Sequence, residues 1–123
     1  MPKRSLVAVV DDDESVRESL PDLLRELGFA SKPFASAKEL LAFDGLGTIE
    51  CLILDIAMPE MSGPNLLEEL KRRGTEIPIV FITANAEPAI RAHLLKKGAV
   101  ECLFKPFGDL EVRDAVNSAL RRR

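Results

Sequence analysis

Five short apolar runs, each followed by an amphipathic stretch, set the strongest limit on how this chain can fold. The runs are Leu6–Val10, Ala30–Phe34 (the weakest), Cys51–Leu54, Ile79–Ile82 and Val100–Phe104. Continuous runs of this length suit strands covered on both faces, because a strand with one wet face alternates instead. The stretches between them carry helical periodicity. Val16, Leu20, Leu23, Leu24 and Leu27 share one face, and Gly28 supplies a stop. Ser36-Ala37-Lys38-Glu39 reads as a capping box ahead of Leu40, Leu41 and Phe43. Leu66, Leu67 and Leu70 mark a third helix, entered through Ser62-Gly63-Pro64 and closed by Gly74. A fourth runs from about Glu87 to Lys97, with Pro88 in its first turn and Gly98 after it. The fifth carries Val112, Ala115, Val116, Ala119 and Leu120, with Asp109 as its expected N-cap. Pro21 falls inside the first helical pattern, where it removes a hydrogen bond at a cost of about 3 kcal/mol. A kink or a late helix start is expected there.

Five βα units with short connections imply an α/β fold, a mostly parallel sheet with helices on both faces. The 123 residues are expected to form one domain, 1–123. Net charge is -3, so no basic field exists to hold nucleic acid. The basic clusters, Lys71-Arg72-Arg73, Lys96-Lys97 and Arg121-Arg122-Arg123, each close a predicted helix, where cations complement the helix dipole. No apolar run approaches the ~18 residues of a membrane span and no leader pattern opens the chain, so a cytoplasmic location is expected. Cys51 and Cys102 fit no metal spacing and no disulfide framework; both are expected as buried free thiols.

In parallel sheets, ligands bind beyond the carboxyl ends of the strands. The first run ends in Asp11-Asp12-Asp13-Glu14, the third in Asp55, the fourth in Thr83-Ala84, and the fifth in Lys105-Pro106. Carboxylates of Asp11, Asp12 and Asp55 about 5 Å apart, at an effective dielectric near 20, repel by roughly 3 kcal/mol per pair. The sum, about 10 kcal/mol, rivals the whole stability of a typical domain, ~5–15 kcal/mol. A counter-charge is therefore required, or a proton. Lys105 offsets part, and a hard divalent cation with retained waters, such as Mg²⁺, suits the rest. A carboxylate beside Mg²⁺ and a lysine can attack phosphorus. Asp55, alone at its strand end, is the expected nucleophile. Asp11 and Asp12 suit metal holding, Thr83 can donate to a phosphoryl oxygen, and Ala84 leaves room. Asp13 and Glu14 read as helix-start acids, and His93 as a solvated helix residue. Phe29, Phe34, Phe43 and Phe81 belong to the core or its margin.

The ordered set Val10-Asp11-Asp12, Leu54-Asp55, Met58-Pro59, Met61-Ser62-Gly63, Ile82-Thr83-Ala84 and Lys105-Pro106-Phe107 resembles the receiver domain of two-component response regulators. The stretch Phe34–Leu41 is most similar to the FixJ-like subgroup. This resemblance implies a flavodoxin-like three-layer sandwich, a five-stranded parallel sheet of order 2-1-3-4-5 with five helices. It implies a signalling switch rather than an enzyme, taking a phosphoryl group from a histidine kinase onto Asp55. Asp12, Asp55 and the Ala57 backbone carbonyl would hold Mg²⁺ (with Mn²⁺ able to substitute), and Asp11 would help through water. Lys105 would contact the phosphoryl group, Thr83 would follow it, and the peptide before Pro106 would be cis. Phosphorylation would bias the face built from the fourth helix, fifth strand and fifth helix, where a homodimer is a family-level expectation. The output is expected to be transcriptional, through a DNA-binding domain beyond Arg123 or a separate partner. A chain that ends there as a single-domain regulator is the other reading.

Two positions depart from the receiver pattern. Cys102 stands where receivers carry the Tyr or Phe that swings inward as the threonine moves. A muted or rerouted change at the fourth helix follows, with Phe104 or Phe107 as stand-ins. Ala57, two residues past Asp55, offers an attacking water no polar contact, although Asn85 could still orient one. A haloacid-dehalogenase-like phosphatase needs an acid where Ala57 stands, and a dinucleotide-binding protein needs a glycine-rich loop after the first strand. The alternative that keeps the same fold is a degenerate receiver acting as a phosphorylation-independent interaction module.

Overall fold

A computed structural model describes residues 4–85 and 87–122. The chain alternates β1 (Leu6–Val10), α1 (Glu14–Glu26), β2 (Ala30–Phe34), α2 (Ala37–Leu41), β3 (Cys51–Asp55), α3 (Gly63–Arg72), β4 (Ile79–Thr83), α4 (Pro88–Lys96), β5 (Glu101–Phe104) and α5 (Asp109–Arg121). A short 3₁₀ turn, Leu46–Thr48, precedes β3. All strand pairs are parallel, in the order β2-β1-β3-β4-β5. This is the expected α/β sandwich. β3 and β4 each run one residue past their apolar runs, to Asp55 and Thr83, and β5 begins at Glu101 rather than Val100.

The strand period of two sorts the apolar residues into two cores. Ala8, Val10, Leu52, Leu54, Phe81 and Cys102 pack against Leu40 of α2, Leu66 and Leu70 of α3, and Leu94 of α4. Val7, Val9, Ile53, Val80, Ile82 and Leu103 pack against Leu24 of α1 and Val112 and Val116 of α5. Each buried Val, Leu, Ile or Phe among them contributes about 1.5–3 kcal/mol. Cys51 and Cys102 are free thiols, one in each core.

Local signals explain most boundaries. Asp13 caps α1 by accepting from the Ser15 N–H at 2.9 Å, and Ser62 caps α3 by accepting from the Asn65 N–H at 3.3 Å. Ser36 accepts from the Glu39 N–H, while Glu39 reaches one residue further back than expected, to the Ala35 N–H. Two expectations need correction. α1 does not start late: it begins at Glu14 and runs through Pro21, which is buried beside Leu20 and Leu24. The Asp13 cap and that apolar face offset the lost hydrogen bond. The N-cap of α5 is Gly108, not Asp109, because the Glu111 carboxylate takes the Gly108 N–H at 2.9 Å and draws the chain into the helix one residue earlier than expected. The basic clusters do close α3, α4 and α5, except that Arg123 lies outside the described residues.

The two outer strands differ in how their open edges are treated. Edge strand β2 carries Pro33, which has no N–H, and Lys32, whose Nζ sits over the Phe34 and Phe43 rings at 5.7 and 5.5 Å. On β5, the Glu101 carboxylate takes the Cys102 N–H at 2.9 Å and pairs with Arg91 of α4 at 2.6 Å.

Candidate functional site

Register brings the strand ends level. Val10 pairs with Leu54, so Asp11 lies opposite Asp55; Asp55 pairs with Ile82, and Thr83 pairs with Phe104. The end of β4 and the loops leaving β1 and β5 then place Thr83, Asp12 and Lys105 at the same edge as Asp55. Carboxylate oxygens of Asp11, Asp12 and Asp55 all lie within 4.8 Å of one another. Asp11 is 0% and Asp55 6% exposed, whereas Asp12 faces solvent.

Each acid is held differently. Both oxygens of the Asp11 carboxylate have a protein donor: Oδ1 accepts from the Asp13 N–H at 2.9 Å, and Oδ2 from Lys105 Nζ at 3.1 Å. Asp55 Oδ1 accepts only a long bond, 3.4 Å, from the Ala57 N–H. The Asp12 carboxylate accepts none among the described residues. Burial pushes the Asp55 carboxyl up to about 7; the Asp11 charge adds to the rise and Lys105 opposes it. Asp13, a cap facing water, is held below the usual carboxylate range by the Ser15 hydroxyl and N–H.

The remaining strand-end groups complete the rim. Thr83 Oγ1 accepts from the Asn85 N–H at 3.0 Å, which leaves its hydroxyl proton for another acceptor. Lys105 follows β5, and its peptide to Pro106 is cis. Gly63 opens α3 against the back of the site. A Cβ there would sit 2.5 Å from the Asp55 carbonyl oxygen and 2.9 Å from the Phe81 ring. Only glycine lets α3 approach that closely. Cys102 lies in the α4-side core with Leu94, and burial pushes its thiol up. Phe104 is half-buried against that same core, and Phe107 against the other. His93 is exposed on α4, away from the acids.

The donor set fits a hard divalent cation. Oxygens across an octahedral Mg²⁺ span about 4.2 Å, two bonds of ~2.1 Å, close to the spacing here. Two of the three acids keep free oxygens, and retained waters can reach the third. Two partners were not legible in advance, although Lys105 was expected to offset the acids. Arg17 of α1 donates from Nη1 to the Asp11 carbonyl at 3.0 Å, and Lys105 pairs with Asp11. Arg17 looked like one more residue of a polar helix face; its place in the first turn, six residues past Asp11, was the available signal.

The family model for the response regulator receiver domain matches residues 7–117. The chain belongs to this family of signalling domains, which are not enzymes in the ordinary sense. It is 40% identical over 119 residues to Nodulation protein W of Bradyrhizobium diazoefficiens, covering 97% of this chain and 52% of that protein. To the transcriptional regulatory protein TdiR of Thauera aromatica it is 41% identical over 116 residues, covering 94% and 51%. The crystal structure of FixJ-N superposes with a TM-score of 0.87 at 35% identity, covering 99% of this chain and 98% of that one. The FixJ-like flavour of Phe34–Leu41 agrees with that match. The chain spans about half the length of the curated relatives it matches. No helix among the described residues is long and apolar enough to cross a membrane.

Proposed function

We propose that Asp55 accepts a phosphoryl group from the phosphohistidine of a sensor histidine kinase. The observation that carries this reading is the convergence of Asp11, Asp12 and Asp55 within 4.8 Å, beside Lys105 and Thr83, at one end of the sheet. An Asp55 oxygen attacks phosphorus as the P–N bond breaks, and the histidine imidazole leaves with the electron pair and takes up a proton. Asp12, Asp55 and the Ala57 carbonyl would hold Mg²⁺, with Asp11 acting through water. A bound divalent ion neutralises charge on the phosphoryl oxygens. Lys105, already turned inward by Asp11, then pairs with a phosphoryl oxygen, and the Thr83 hydroxyl donates to another.

The phosphorylated site would bias α4, β5 and α5, and an output domain beyond this chain would read that surface. The transcriptional relatives support regulation of transcription as that output. The switch differs from the usual threonine–aromatic relay, because Cys102 offers no ring to rotate and no path to the surface. Intact mass after incubation with acetyl phosphate and Mg²⁺ tests the reading. A gain of ~80 Da, absent from Asp55→Asn and from an EDTA control, is expected. No gain in wild type, despite measurable Mg²⁺ binding, would leave a phosphorylation-independent interaction module.

A further inference from the structure

Among the three clustered acids, Asp12 is the one whose carboxylate no described residue holds, and yet it is a proposed metal ligand. Its position must come from its backbone. Both peptide planes that flank it are anchored. The plane before it, Asp11–Asp12, is held through the Asp11 carbonyl by Arg17 Nη1 at 3.0 Å. The plane after it, Asp12–Asp13, is held through the Asp13 N–H by Asp11 Oδ1 at 2.9 Å. A peptide unit is planar, so fixing its oxygen also fixes the Cα that follows. With both planes fixed, the direction of the Asp12 Cα–Cβ bond is set, and only side-chain rotation remains.

Arg17 can do this because it is itself fixed. Its backbone N–H donates to the Asp13 carbonyl at 3.1 Å, the first turn of α1, while its side chain reaches back six residues to the end of β1. Arg17 is half-buried, and its guanidinium presents a planar fork of donors suited to a fixed acceptor. It grips a backbone carbonyl and so takes up no carboxylate oxygen of the three acids. Lys105 cannot substitute, since it is engaged on the opposite side, at Asp11 Oδ2.

We propose that Arg17 is a positioning residue for the phosphoacceptor site: by clasping the Asp11 carbonyl it aims Asp12 at the divalent cation. This rests on the phosphoacceptor reading above. Outer contacts of this kind typically change metal affinity by about 10–100-fold when removed.

The test is Mg²⁺ titration of the folded chain followed by amide chemical shifts, which reads weak binding without any phosphodonor. Arg17→Met is expected to bind Mg²⁺ about tenfold more weakly than wild type. Arg17→Lys, which keeps one donor, is expected to recover most of that loss. In an Asp12→Asn background, Arg17→Met is expected to add little, because both changes remove the same ligand. Equal affinity in wild type and Arg17→Met would overturn the inference. So would a full further tenfold loss in the Asp12→Asn background, since Arg17 would then act elsewhere. If Arg17→Met does not fold, Arg17→Gln replaces it, with the same two overturning results. Absence of Mg²⁺ binding in wild type would instead remove the phosphoacceptor reading itself, and this inference with it.

Discussion

The two sides of Asp55 are built on opposite plans. Toward β1, every contact is polar and closely held: Lys105 and the Asp13 N–H on Asp11, and Arg17 on its carbonyl. Toward β4 and β5, the Thr83 hydroxyl makes one bond among the described residues, to the Asn85 N–H, while its carbonyl accepts the Lys105 N–H, and behind it lie the Cys102 thiol and an apolar core. Besides the buried packing of Leu94 near Cys102, the polar tie there between α4 and β5 is a surface one, Arg91 to Glu101, with side chains 42% and 31% exposed. Exposed pairs are worth only about 0–1 kcal/mol. The side proposed to do chemistry is densely hydrogen-bonded, and the side proposed to report it carries fewer polar ties. A rigid site preserves reaction geometry, whereas a signal needs an element with two arrangements of similar energy.

The contrast can be broken from the densely hydrogen-bonded side first. Gly63→Ala forces a methyl against the Asp55 carbonyl and is expected to destabilise the chain by about 1–3 kcal/mol, with displaced Asp55 amide shifts. Denaturant unfolding at a single pH checks this, and unchanged stability would mean that α3 can retreat freely.

Next in size is the charge on Asp55. Its folded-state pKa is raised, so the folded chain holds that proton more tightly than the unfolded one. Its contribution is therefore fully present below about 3.8 and is lost as pH rises through about 7. Allowing for solvent screening, the loss is on the order of 1–3 kcal/mol. Without divalent cation, thermal unfolding should show Asp55→Asn gaining on wild type between pH 4 and pH 8. Mg²⁺ should close that gap by stabilising wild type alone. A gap that does not vary with pH would show that Asp55 titrates normally.

Smaller still is the side with fewer polar ties. Arg91→Ala should cost less than about 1 kcal/mol in global stability, yet raise amide exchange along α4. Equal exchange in both forms would show that the pair fastens nothing. Smallest is the response to phosphorylation: amide shifts over residues 88–97 are expected to be weaker than those at Thr83 and Lys105. Changes at α4 as large as those beside the site would mean that some group other than an aromatic at position 102 carries the relay.

The fold was legible because the central strands β1, β3 and β4 are covered on both faces and read as unbroken apolar runs, whereas edge strand β2, exposed at Lys32 and Pro33, is the weakest run. Parallel strands then forced Asp11, Asp55, Thr83 and Lys105 to one edge, and the site followed from topology. What stayed hidden was pairing between polar groups. Arg17 and Arg91 carry no apolar period, and an arginine bound to a carbonyl or a distant glutamate looks the same in sequence as a solvated one. The α5 boundary slipped by one residue for a similar reason, as the Glu111 carboxylate reaches back to a backbone N–H that glycine supplies as well as any residue.

The treatment of the outer strands has a consequence for life at high concentration. An open sheet is a template on which another chain can crystallise strand by strand. Here Pro33 takes a donor out of one margin, and Glu101 occupies a donor on the other. Chains crowded together, or newly made and still unmodified, are thereby steered away from fibre-like growth.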